Sequence, residues 1–269
     1  MGEMLLGRQH GEVPVAIVRP SIVESALSEP YAGWGEGIRM CDPIVIAYGK
    51  GQLRGFVGDA DGVLDVVPVD HVVNAMLAAM PRHARTAGEH AHFGDDAGGA
   101  DGGIAVYQVA TGTANPLGNR VFVEQVTRHF LEHPMADKTG APIRPGAMAI
   151  FRDERAFLRD SWLRYRLPLQ LAALLPWRDA ARDRRRAAVL DKVFAQLGYL
   201  AKIYRDYTFY ECRFDSRNTA ALLGGLDAEE QEAFNFDASR IDWAQYLGDT
   251  HVRGLRKYVL KRPVGDRQS

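Results

Sequence analysis

Apolar residues fall along this 269-residue chain in two textures: short unbroken runs alternating with helix-period stretches up to about residue 150, then helical period alone. Residues 13–18, VPVAIV, form a continuous run rich in β-branched side chains. Such a run predicts a strand covered on both faces within a parallel sheet, and Pro20 is expected to end it. PIVIAY (43–48) is a weaker second strand candidate, and AVYQVAT (105–111) a third. Between them, Val69, Val72, Val73, Met76, Leu77 and Met80 recur at i, i+3, i+4, i+7, i+8 and i+11. That spacing predicts a helix burying this stripe, with Asp70 capping its first turn. Residues 115–133 predict another helix, opened by Asn115 with Pro116 in its first turn. MGEMLLGRQHGE at the start reads as the end of a helix, with Gly11 as its C-cap.

The alternation of strand and helix predicts an α/β fold with a partial doubly wound, Rossmann-like parallel sheet. Beyond the Pro- and Gly-rich connection at 137–148 the strand signal disappears, which predicts a mostly α-helical C-terminal domain. The expected division is 1–148, then 149–262, then a tail at 263–269. Residues 81–103, rich in Gly, Asp and His, read as an exposed loop.

Composition narrows the function classes. A net charge of -1 implies no global attraction to nucleic acid. Cys41 and Cys212 are too few and too far apart for a disulfide framework or a cysteine metal site, which fits a reducing, cytoplasmic setting. MGEMLLGRQHGE does not read as a secretory signal, and no apolar run reaches the roughly 20 residues that span a bilayer. One segment does suggest peripheral contact. LPLQLAALLPW (167–177) is strongly apolar and flanked by Arg164, Arg166 and Arg178, the layout of a segment lying in a membrane interface; packing against its own domain is the plainer reading.

Gly49, Gly51 and Gly55 superficially imitate a dinucleotide fingerprint, but no helix signal follows them, so they read as a turn-rich surface segment. His83, His90 and His92 lack metal-ligand spacing and read as solvated loop residues. Arg178, Arg182, Arg184, Arg185 and Arg186 are interspersed with aspartates and read as a solvated helix face.

In open α/β sheets ligands sit beyond the carboxyl ends of the strands, which places Arg19, Pro20, Ser21, Ile22 and Val23 where a cofactor or substrate would lie. The ordered strings VAIVRPSIVESALSEPYAGW, VLDVVPVDHVVNAMLAA, YQVATGTANPL, FNFD, IDWAQYL and HVRGLRKYVLK resemble the fatty acyl-CoA reductases of the male sterility type. That family joins an extended short-chain dehydrogenase/reductase unit to a helical C-terminal domain. The resemblance implies NADPH as cofactor, lined by Arg19, Pro20, Ser21, Ile22 and Val23, and a long-chain acyl-CoA substrate contacted by Glu24. It also implies a glycine-rich phosphate loop and a Tyr-x-x-x-Lys pair upstream of this strand. No Tyr here is followed by Lys four positions later, so no catalytic residue is assigned. The expectation is a C-terminal portion of a reductase, inactive alone, whose orphaned strand edge favours oligomerisation. The alternatives are a non-catalytic acyl-chain or membrane module, and an enzyme half complemented in trans.

Overall fold

The computed structural model describes residues 2–11, 13–84, 104–137, 139–173, 213–261 and scattered positions from 185 to 209. The strands are β1 (Ala16–Pro20), β2 (Ile22–Glu24), β3 (Gly55–Val57), β4 (Val63–Leu64), β5 (Val66–Pro68), β6 (Ala105–Val109), β7 (Leu117–Gly118), β8 (Met135–Ala136), β9 (Pro142–Ile143) and β10 (Ala149–Phe151). The helices are α1 (Gly2–Gln9), α2 (Asp42–Gly49), α3 (Val69–Ala84), α4 (Asn119–Glu132), α5 (Glu154–Ser161), α6 (Leu167–Ala173), α7 (Arg217–Gly224) and α8 (Ala228–Ala233). A final helical run alternates α turns, Trp243–Gln245 and Val252–Gly254, with π turns, Tyr246–His251 and Leu255–Val259. The chain divides into two compact units, one of residues 1–40, 65–117 and 212–269, the other of 41–64 and 118–211.

The first unit holds two parallel pairs. Ala16–Pro20 runs beside Ala105–Val109 residue for residue, and Ile22–Glu24 beside Val66–Pro68. Helix α3 packs on β1, β2, β5, β6 and α7. Its core face is Val72, Ala75, Ala78 and Ala79, closed by Val67, Tyr107, Val109, Leu222 and Phe236. This corrects most of the stripe read from the sequence: Val72 is core, but Val73, Met76, Leu77 and Met80 are 45–66% exposed. Small side chains let a helix backbone approach a sheet closely, so the alanine face meets it and the bulkier face turns outward. Strand β1 also departs from expectation. It starts three residues later than predicted, is half-exposed rather than covered on both faces, and Pro20 is followed after one residue by β2 instead of ending the extended chain.

In the second unit β3 pairs in parallel with β10. The predicted strand at 43–48 is helix α2, with Pro43 in its first turn. Proline there removes an N–H that has no helical partner anyway and presets φ. Helix α4 begins at Asn119, four residues beyond the expected start, and buries Phe122, Val126 and Phe130. Phe122 meets Phe56 edge-on at 6.2 Å and Phe130 meets Tyr48 at 5.9 Å. After Phe151 every described element is helical, matching the predicted change of texture.

Candidate functional site

The stretch Arg19–Glu24 crosses between strand partners. Pro20 lies beside Val109, the Ser21 N–H donates to the Val109 carbonyl at 3.0 Å, and the next N–H, of Ile22, donates to the Asp65 carbonyl at 3.1 Å. Ser21 therefore stands where the chain leaves β6 and joins β5, at the carboxyl end of β1 and β6. The Asp65 carboxylate braces the same corner. It accepts from the backbone N–H of Thr111 at 2.9 Å and of Gly112 at 3.1 Å, while the Thr111 hydroxyl donates to the Val66 carbonyl at 2.8 Å. A Cβ at position 112 would meet the Asp65 carboxylate, so only glycine fits.

The six residues singled out from sequence do not converge on one point. Arg19 turns away to pair with Glu3 on α1, its Nε 2.8 Å from Oε1, and this exposed pair holds the Glu3 carboxyl below its ordinary value. Ser21 keeps a buried hydroxyl with no hydrogen-bond partner among the described residues. Ile22 and Val23 are half-buried, Val23 against the α3 core. Glu24 is buried, its Oε2 3.9 Å from His251 Nε2.

Glu24 opens a buried polar cluster joining the loop after β2 to the final helical run. Ser25 Oγ lies 2.9 Å from His251 Nδ1, and the Tyr246 hydroxyl donates to the Ser25 carbonyl at 2.7 Å. The loop then folds back on itself, with the Ala26 N–H donating to the Trp34 carbonyl at 2.8 Å and the Gly33 N–H to Ala26 at 2.9 Å. Gly33, at φ 76°, and Gly254 meet backbone to backbone, so a side chain on either would overlap the other. Asp70 completes the frame. Rather than capping α3, its carboxylate accepts from the N–H groups of Leu27, Ser28 and Glu29 at 2.9, 2.8 and 3.1 Å.

The same final run is tied to the loop after β6. Asn115 Nδ2 donates to the carbonyls of Ala238 and Ile241 at 3.0 and 2.8 Å, and Trp243 Nε1 donates to Asn115 Oδ1 at 3.0 Å. Asn115 therefore opens no helix. Two buried or half-buried histidines, His71 and His83, lie within α3. Burial pushes the His71 imidazole below its ordinary value, against the pull of Asp70 and Asp237. His83 is not a solvated loop residue but lies in α3, its Nε2 2.9 Å from the Tyr107 hydroxyl, and burial lowers it as well. His90, His92, Cys212 and the arginines 178, 182, 184 and 186 lie outside the described residues.

The imitation fingerprint is resolved as packing. Gly49 ends α2 where a Cβ would strike the Phe130 ring, Gly51 turns the chain at φ 66°, and Gly55 lies against the Ala149 backbone. Gly49 and Gly55 are buried, so the segment is not the surface turn expected.

Comparison with known proteins gives this geometry its context. Two family models, each described as male sterility protein, match residues 1–76 and 167–262. The chain is 39% identical over 97% of its length to "Fatty acyl-CoA reductase 2, chloroplastic" of Arabidopsis thaliana, covering 41% of that protein. It is 30% identical, again over 97% of its length, to "Alcohol-forming fatty acyl-CoA reductase" of Simmondsia chinensis, covering 50% of that protein. The chain spans about half the length of the curated relatives it matches. With both family models met in chain order, the chain belongs to the male sterility protein family, whose matched relatives are named as fatty acyl-CoA reductases.

Proposed function

We propose that this chain forms part of an NADPH-dependent reductase of long-chain fatty acyl-CoA, yielding the aldehyde or alcohol, and contributes the nicotinamide-side and acyl-handling surface. NADPH is the cofactor of the family, and the observation that carries the assignment is the Ser21 hydroxyl. A buried hydroxyl without a partner is costly, and an occupant that hydrogen-bonds to it removes the cost. It stands at the carboxyl end of parallel strands, the usual place of a cofactor. On this reading Pro20, Ile22 and Val23 line the cofactor largely through their backbone, Arg19 borders it, and Glu24 lies at the substrate end. NADPH supplies the hydride when bound. Seating its phosphates calls for a glycine loop at a helix N-terminus, and protonating the product calls for a tuned acid. These 269 residues contain no Tyr-x-x-x-Lys pair, so the chain alone is expected not to turn over.

The test is amide hydrogen exchange with and without NADPH, beside absorbance at the nicotinamide band with a long-chain acyl-CoA. Protection of residues 19–24 by NADPH, lost in Ser21→Val, is expected; no protection at saturating cofactor overturns the assignment. Steady loss of absorbance overturns the inactivity.

The division at 148 is proposed as the boundary between the cofactor-side part and the helical part. We further propose that the segment from Arg164 onward touches a lipid surface. No described helix is long and apolar enough to cross a membrane, but Trp162, Leu163 and Leu171 are 40%, 48% and 56% exposed beside Arg164 and Arg166, the composition of an interfacial segment. Co-sedimentation with anionic vesicles, weakened by Trp162→Ser, is the expected result; equal binding by both proteins removes the assignment.

A further inference from the structure

We infer that His251, in the final helical run, is a positioning residue for the cofactor-facing stretch Ser21–Ser25, and that it acts through Ser25. This rests on the reading that Ser21–Val23 face the nicotinamide. Ser25 is one residue beyond β2 and 226 positions from His251, yet their side chains meet at 2.9 Å in a fully buried setting. In the tautomer in which the Ser25 hydroxyl donates to Nδ1, the ring proton sits on Nε2, 3.9 Å from the Glu24 carboxylate. One imidazole thus lies beside two successive side chains at the end of β2. Tyr246, one turn earlier on the same π segment, grips the Ser25 carbonyl at 2.7 Å. A π turn carries one more residue than an α turn, which is what brings Tyr246 and His251, five apart, to the same contact; such turns are frequent at functional sites. The Gly33–Gly254 contact closes the other end of the same loop without any side chain. A purely apolar dock would hold the helix equally well. The directional hydrogen bond to Ser25 Oγ fixes the rotation of the strand end, and with it the direction of Ser21.

The test is amide exchange on the full 269-residue chain in Ser25→Ala, His251→Ala, His251→Asn and His251→Gln. An asparagine amide reaches the position of Nδ1, whereas a glutamine amide reaches that of Nε2. Ser25→Ala and His251→Ala are expected to speed exchange in residues 21–34 by about tenfold or more, with no additional effect when combined. Exchange in α4 should not change. His251→Asn restores the protection and His251→Gln does not. Uniform acceleration through the chain, additive single effects, or equal behaviour of Asn and Gln overturns the inference. Because NADPH is absent from this experiment, failure of the cofactor assignment leaves its outcome distinct: protection of 19–24 by NADPH tests that reading alone.

Discussion

Helices α3 and α4 are both amphipathic in sequence, and they bury opposite kinds of face. α4 buries its large residues, Phe122, Val126 and Phe130, all at most 3% exposed, among aromatic partners. α3 buries Val72, Ala75, Ala78 and Ala79 and leaves Val73, Met76, Leu77 and Met80 outward. The difference lies in what each helix rests on. A strand pair presents a broad, continuous surface that an alanine face can approach closely, whereas the space around α4 is bounded by Tyr48, Phe56 and Gly49 and must be filled by rings. The hydrophobic stripe of a sequence therefore marks amphipathicity but not which apolar face is covered.

The strongest challenge to this contrast is Phe130→Ala, which should cost about 3–5 kcal/mol in urea unfolding because the ring leaves a cavity against Tyr48 and Gly49. A loss under 1 kcal/mol would mean that α4 is not anchored by its rings. Next, Ala75→Leu should cost about 1–3 kcal/mol through overpacking of the close helix–sheet contact; a neutral result would remove the need for a small face. A smaller effect is expected from pH. His71 and His83 are held below their ordinary value by burial in the folded state, so the unfolded chain binds protons first. Stability should accordingly fall as pH drops through the ordinary histidine value near 6.5, and His71→Gln should flatten that slope in thermal melts taken between about pH 7.5 and 5.5. A slope unchanged by the substitution would place the titration elsewhere. Least of all, Met76→Gln with Met80→Gln should shift stability by no more than about 0.5 kcal/mol, and a large loss would show the outward face of α3 to be covered.

The loop around Glu24 shows how far sequence reaches into the site. An apolar strand ending in Arg-Pro marks the carboxyl end of β1 at Pro20, but the chain continues extended into β2 at 22–24. The roles within residues 19–24 were not legible. Arg19 pairs with Glu3 and Glu24 turns inward to His251, because alternate residues of an extended chain point to opposite sides and the sequence does not say what waits there. Ser25 and Tyr246 carry no local signal, and Asn115 carries one only for a helix start, since their partners lie more than a hundred positions away. Asp70 did carry one, for a cap, but in the fold its carboxylate meets three N–H groups of another loop.

What the chain determined by itself is its local grammar: β-branched runs overlapping the strands at 16–20 and 105–109, helical period overlapping the helices at 69–84 and 119–132, and a helical remainder after Phe151. These follow from side-chain shape and spacing, which act within a few residues. Tertiary structure alone decided which face of α3 is core, that 42–49 coils rather than extends, and that a histidine near the end of the chain meets a serine near its start. Those outcomes depend on packing volume and on hydrogen-bond partners brought together only when the strands have paired.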